Sequence, residues 1–126
     1  MKIFVVDDEP HITHMLRVLF QKRGHQVVVA DNGETALDLV HREQPDVMFL
    51  DLNLPGKNGF QVCEELRQEP QFQNLPIFIL TAQGQDLDRE RGMAVGATDY
   101  ITKPFSPRHL AGLVQDLAER FPSGQA

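Results

Sequence analysis

Five short apolar runs, each ending at a polar residue and separated by stretches with helical spacing, constrain this chain more than any other feature. They are Ile3–Val6, Val27–Ala30, Val47–Leu50, Ile77–Leu80 and Tyr100–Thr102. A continuous apolar run, unlike an alternating one, suits a strand buried on both faces, and such strands belong to parallel sheets covered by helices on either side. The intervening stretches supply those helices. Ile12, Met15, Leu16, Leu19 and Phe20 lie on one helical face, which Gly24 closes as a left-handed cap. Asp31-Asn32-Gly33 opens a second helix with Ala36, Leu37 and Val40 inward, and Pro45 bars it from continuing. Phe60, Cys63 and Leu66 mark a third helix that stops before Pro70. Gln85–Val95 reads as a fourth, with few inward residues (Leu87, Met93, Ala94) and Gly92 weakening its last turn. The fifth carries Leu110, Leu113, Val114, Leu117 and Phe121 until Pro122-Ser123-Gly124 breaks it. Alternating strands and helices imply an α/β, doubly wound five-stranded parallel sheet with right-handed crossovers.

A chain of 126 residues supplies one core, here residues 2–120 with a short tail over 121–126. The formal net charge of -6, with no run of Lys or Arg, argues against a nucleic-acid surface. The single cysteine, Cys63, excludes an internal disulfide and suits a reducing compartment. The first apolar run is too short for a signal sequence or a membrane span, so a cytoplasmic location without membrane contact is expected.

The chemistry gathers at the strand ends. Asp7 and Asp8 follow the first run, Asp51 the third and Thr81 the fourth, while Lys103 follows the fifth. In an open parallel sheet the carboxyl ends of the strands line the crevice where ligands bind. Each residue alone has a plainer explanation. Asp8 before Pro10 can cap the first helix, and Asp51 can serve as a turn former. Together they point to a site, because three neighbouring carboxylates repel and hold their protons more tightly unless cations neutralise them. A hard divalent cation, Mg²⁺ or Mn²⁺, is the usual partner of such a set. With a lysine and a hydroxyl beside them, the acids suit a phosphoryl group carried on Asp51. His11 and His14 are three apart on the first helix, but with no third ligand near they read as exposed side chains.

This motif set resembles the receiver domain of the two-component response regulators, of the single-domain chemotaxis type. The resemblance rests on Asp7-Asp8, on Asp51-Leu52-Asn53-Leu54-Pro55-Gly56-Lys57-Asn58-Gly59, on Thr81-Ala82, and on Tyr100 followed by Lys103-Pro104-Phe105, over a span from about Lys2 to Arg120. It implies a flavodoxin-like fold with strand order 2-1-3-4-5 and Asp51 as phosphoacceptor. Asp8, Asp51 and the backbone carbonyl of Asn53 would ligate Mg²⁺, with Asp7 acting through water. Lys103 would pair with phosphoryl oxygens, Thr81 would move to hydrogen-bond one of them, and Tyr100 would turn inward. Asn53 and Gln83 would flank the phosphoryl group and set its lifetime. The Lys103-Pro104 bond would be cis. The implied donor is a histidine kinase or phosphotransfer protein, and the implied target is a downstream protein or an output domain of a longer parent. Catalysis would be limited to self-phosphorylation and self-dephosphorylation, so no turnover enzyme is expected.

Two departures stand out. Lys57 occupies a loop position where relatives usually carry an apolar residue, and Leu113 stands where many DNA-binding relatives carry a basic one. The expectation is therefore a monomer or a weak phosphorylation-dependent dimer. Three rival readings fit less well. A haloacid-dehalogenase-type phosphatase needs a general-acid Asp where Asn53 stands. A flavin carrier needs a phosphate cradle where Asp7-Asp8-Glu9 would repel one. A phosphorylation-independent interaction module would leave the full acidic set without a use.

Overall fold

The computed structural model describes residues 1–81 and 94–120. The strands are β1 (Lys2–Val6), β2 (Gln26–Ala30), β3 (Val47–Asp51), β4 (Ile77–Thr81) and β5 (Asp99–Thr102). The helices are α1 (Pro10–Gln21), α2 (Gly33–Glu43), α3 (Gly59–Arg67) and α4 (Pro107–Arg120), with a 3-10 turn at Pro70–Phe72. The helix expected over Gln85–Val95 falls almost wholly outside the described residues, as do Ala82, Gln83 and the tail from Phe121.

All five strands are parallel and lie in the order β2-β1-β3-β4-β5. Side chains alternate across the sheet, so each buried run feeds two cores. Phe4, Val6, Met48, Leu50, Ile77, Ile79 and Tyr100 pack towards α2 and α3. Ile3, Val5, Val47, Phe49, Phe78, Leu80 and Ile101 pack towards α1 and α4. In the second core Phe49 stacks between Phe20 and Phe78, with ring centroids 5.7 and 5.5 Å away. This is the doubly wound arrangement that continuous apolar runs require.

Helix ends follow local chemistry. Gly24 takes φ 85°, and the His25 N–H reaches back to the Phe20 carbonyl, closing α1 through a left-handed cap. Asn32 caps α2 by accepting from the Thr35 N–H, and Asn58 caps α3 in a reciprocal box with Gln61. Asp8 does not cap α1, contrary to one sequence expectation. The N-cap is Glu9, with no side-chain cap bond, and Pro10 follows it. Asp7 Oδ1 accepts the Glu9 N–H instead, leaving the Asp8 carboxylate beside the other acids.

His41 at the end of α2 joins that helix to the turn after α3. Its Nδ1 lies 2.6 Å from the Leu37 carbonyl oxygen and its Nε2 lies 2.8 and 3.0 Å from the Glu69 carboxylate oxygens. Its ring meets Phe72 edge-on. Two acceptors on one ring favour imidazolium. The Leu37 carbonyl and then Glu69 raise the His41 pKa, while His41 lowers that of Glu69. A raised histidine stabilises fully below its ordinary 6.5 and loses that as pH climbs through its folded value, whereas a lowered Glu69 loses its share as pH falls below 4.5. Glu69→Gln is therefore expected to lower the melting temperature slightly, chiefly between those two values, with the difference from wild type shrinking at alkaline pH. A difference that is flat with pH in thermal melts would contradict the ion pair.

Candidate functional site

The parallel register brings the site together. Val6 pairs with Leu50, so the next residues, Asp7 and Asp51, stand level at the ends of adjacent strands. Asp51 pairs with Leu80 and Leu80 with Ile101, which puts Lys103 two residues further along and on the same side of the sheet as Ile101. Thr81 ends β4 opposite Thr102. Main-chain bonds hold these ends: Asp7 N–H to the Ala30 carbonyl (3.1 Å), Leu52 N–H to that of Leu80 (2.8 Å) and Lys103 N–H to that of Thr81 (2.6 Å). The Lys103-Pro104 peptide bond is cis.

Asp7, Asp8 and Asp51 each present a carboxylate oxygen, all within 4.8 Å of one another. Among the described residues this is the one such group of three. Asp7 and Asp51 are 1% and 4% exposed, while Asp8 is open to solvent. Lys103 Nζ lies 2.8 Å from Asp7 Oδ2, 3.5 Å from Asp51 Oδ1 and 3.5 Å from Glu9 Oε1. One ammonium faces three acids. Burial first, and the Asp7 charge next, push the Asp51 pKa up to about 6, against the pull of Lys103 and of the hydrogen bond from the Asn53 N–H. Desolvation works to lower the Lys103 pKa, but the bond to Asp7 and the charges of Asp7, Asp51 and Glu9 outweigh it and leave the lysine raised. The donor set is all oxygen, partly buried and over-negative, which fits a hard divalent cation. It also fits an anionic group on Asp51 once such a cation is present.

Asp7, Asp8, Asp51, Thr81 and Lys103 thus converge as the sequence suggests. Thr81 is 1% exposed at the strand end, and Tyr100 is buried on the α2 and α3 side. The Asn53 side chain is exposed beside the site. Gln83 lies outside the described residues. Two contributors escaped sequence reasoning. Glu9 joins the lysine's partners, a role signalled only by its being the third acid in a row. Gly59 leaves room for the acceptor strand, since a Cβ there would sit 2.5 Å from the Asp51 carbonyl oxygen. His11 contacts Glu9 at 3.3 Å and belongs to no ligand set among the described residues.

The model of the response regulator receiver domain family matches residues 3–115. Among solved structures, a response regulator from Chloroflexus aurantiacus J-10-fl is similar at 36% identity and TM-score 0.87, covering 94% of this chain and 98% of that one. The chemotaxis response regulator CheY4 of Vibrio cholerae is 33% identical with TM-score 0.86, over 92% and 97% of the two chains. The receiver domain of RstA from Klebsiella pneumoniae, solved in a BeF3-activated form, is 33% identical with TM-score 0.84, over 91% and 96%. No described helix is long and apolar enough to cross a membrane. With the family model matched over most of its length and the acids of its pocket assembled at the strand ends, the chain belongs to the response regulator receiver domains, the signalling modules of two-component systems.

Proposed function

We propose that Asp51 accepts a phosphoryl group from a phosphohistidine on a histidine kinase or phosphotransfer protein. The observation that supports this most is the cluster itself: a 4% exposed carboxylate at a strand end, faced by two further acids and by Lys103. An Asp51 carboxylate oxygen attacks phosphorus, the nitrogen–phosphorus bond breaks, and the electron pair leaves with the donor imidazole. Asp51 must be ionised to attack, and the burial and Asp7 charge that raise its pKa to about 6 are conditions that a neighbouring cation relieves.

Asp8, Asp51 and the Asn53 carbonyl would hold Mg²⁺ or Mn²⁺, with Asp7 supporting through water. When bound, the ion offsets the negative charge of acceptor and phosphoryl group. Lys103, now shared among Asp7, Asp51 and Glu9, would turn part of that attraction to phosphoryl oxygens as they arrive. Thr81 would donate its hydroxyl to one of those oxygens, and Tyr100, on the edge strand next to Thr81's strand, would repack in response. Asn53 and Gln83 would govern the lifetime of the phosphoryl group. The BeF3-activated state of the RstA receiver domain gives this reading a precedent in a similar fold. The output, a partner protein or a further domain, would read the changed face around β5 and α4.

The test is intact mass after incubation with a small-molecule phosphodonor and Mg²⁺. One phosphoryl adduct is expected on the native sequence, and none on Asp51→Asn or with excess chelator. An adduct that survives Asp51→Asn would refute the assignment, and no adduct on the native chain would favour an interaction module that works without phosphorylation.

A further inference from the structure

The carboxyl ends of the strands carry the chemistry, but the start of β5 decides where Lys103 arrives. Arg67, the last residue of α3, spans this opposite end of the sheet. Its Nε–H donates to the Gly96 carbonyl at 2.7 Å and its Nη1 to the Phe72 carbonyl, while Nη2 lies 3.5 Å from Thr98 Oγ1. One turn earlier the Cys63 thiol donates to the Val95 carbonyl at 3.6 Å. The aliphatic stem of Arg67 lies over Gly96, where an added Cβ would stand 2.8 Å from Arg67 Cγ. Gly96 itself has φ +95°, so the sharp turn and the arginine stem both demand glycine.

Thr98 passes this anchoring on to the sheet. Its N–H donates to the Ile77 carbonyl at 2.8 Å, and its hydroxyl accepts the Ile77 N–H at 2.9 Å. Residues 95–98 are thus tied both to α3 and to the first residue of β4. β5 follows at once, four residues long and at the sheet edge, with β4 its one neighbour. Lys103 comes immediately after it. A one-residue slip would carry Tyr100 to the other face and turn Lys103 away from Asp7 and Asp51. A strand so short has few ladder bonds of its own to prevent that.

We propose that Arg67 is a positioning residue for phosphoryl transfer: by tying the 95–98 turn to α3 it sets the register of β5 and hence the reach of Lys103 into the acidic site. This rests on the function proposed above. A planar fork suits the task, because it serves carbonyls of two separate loops at once where a lysine would serve one.

The test compares Arg67→Met, which keeps the stem and loses the donors, with Arg67→Lys, on the full chain. Three quantities are read: backbone amide exchange across β5, Mg²⁺ affinity by NMR titration, and the rate of phosphoryl incorporation from a small-molecule donor. For Arg67→Met, exchange at Ile101 and Lys103 should quicken and incorporation should slow, each on the order of tenfold. Mg²⁺ affinity, which depends on Asp7 and Asp8 after β1 and on Asp51 of β3, should not fall, since withdrawing the Lys103 ammonium removes a competing cation. Arg67→Lys should recover part of both losses. Wild-type exchange or a wild-type rate in Arg67→Met overturns the proposal. So does Mg²⁺ affinity falling in step with the rate, which would mark general loosening. Should the native protein take up no phosphoryl group, the phosphoacceptor reading fails by itself, and exchange with Mg²⁺ affinity still decides whether Arg67 holds β5.

Discussion

Asp51→Asn is expected to melt higher than the native protein in metal-free buffer at neutral pH. The native carboxylate is ionised there, buried, and next to Asp7, conditions that push its pKa from 3.8 to about 6. The sign follows from proton linkage. The folded state keeps the Asp51 proton to a higher pH than the unfolded chain does, so stability from this group is full below about 4, lost as pH rises through about 6, and level above that. A shift of this size corresponds to roughly 2–3 kcal/mol, or on the order of 5–10 °C in melting temperature for a domain of this length. An amide of the same shape removes the charge and leaves Lys103 paired with Asp7. Two controls sharpen the test. The native protein should gain on Asp51→Asn as pH is lowered towards 4, and saturating Mg²⁺ should stabilise the native protein more than the variant. Equal melting temperatures at neutral pH without metal would mean that Asp51 is not strained by its neighbours.

Gly59→Ala is expected to have the opposite effect and of similar size. Gly59 opens α3, and its N–H donates to the Leu52 carbonyl at 2.9 Å. A methyl group there would meet the Asp51 carbonyl oxygen at 2.5 Å and Leu52 Cα at 3.0 Å. Those are backbone atoms of the acceptor strand and its exit, and they cannot rotate away as a flexible side chain does. The helix start or the end of β3 must shift, at about 3 kcal/mol, with Asp51 carried along. Gly112→Ala provides the contrast: Gly112 lies inside α4 with nothing within 4 Å of the added methyl, so it should stabilise by about 0.5–1 kcal/mol. Denaturant melts of the two variants decide this. If Gly59→Ala were as stable as the native protein and took up phosphoryl at the native rate, close packing of α3 on β3 would not be what positions the acceptor.

Much of the site was legible in the sequence. Asp7, Asp51 and Thr81 end or follow continuous apolar runs, and in a parallel sheet all such ends face one edge. Repulsion among the acids was legible too, and after burial it is the next cause that raises Asp51. Other features had no local signal. Asp8 before Pro10 reads as a helix cap, yet Asp7 takes the Glu9 N–H and Glu9 stands at the cap. Glu9 looks like one more solvated acid until Lys103, 94 residues away, comes within 3.5 Å of it. Arg67 has no part in the sequence reading, and only the folded chain shows that it grips two distant loops.

The sequence by itself determined the five strands, the four described α-helices and the residues at the strand ends, but not the 3-10 turn at Pro70–Phe72. Periodicity, turn formers and caps act within a few residues, so they are written locally. The order β2-β1-β3-β4-β5 came from resemblance to known receivers, because hydrophobic pattern alone does not say which buried strand lies beside which. Tertiary structure decided the charge balance. Lys103 meets Asp7 across 96 residues of chain, and Gly59 meets the Asp51 carbonyl through the packing of α3 on β3. Contacts between residues far apart in the chain depend on strand register and helix docking, which the whole core sets together and no single stretch encodes.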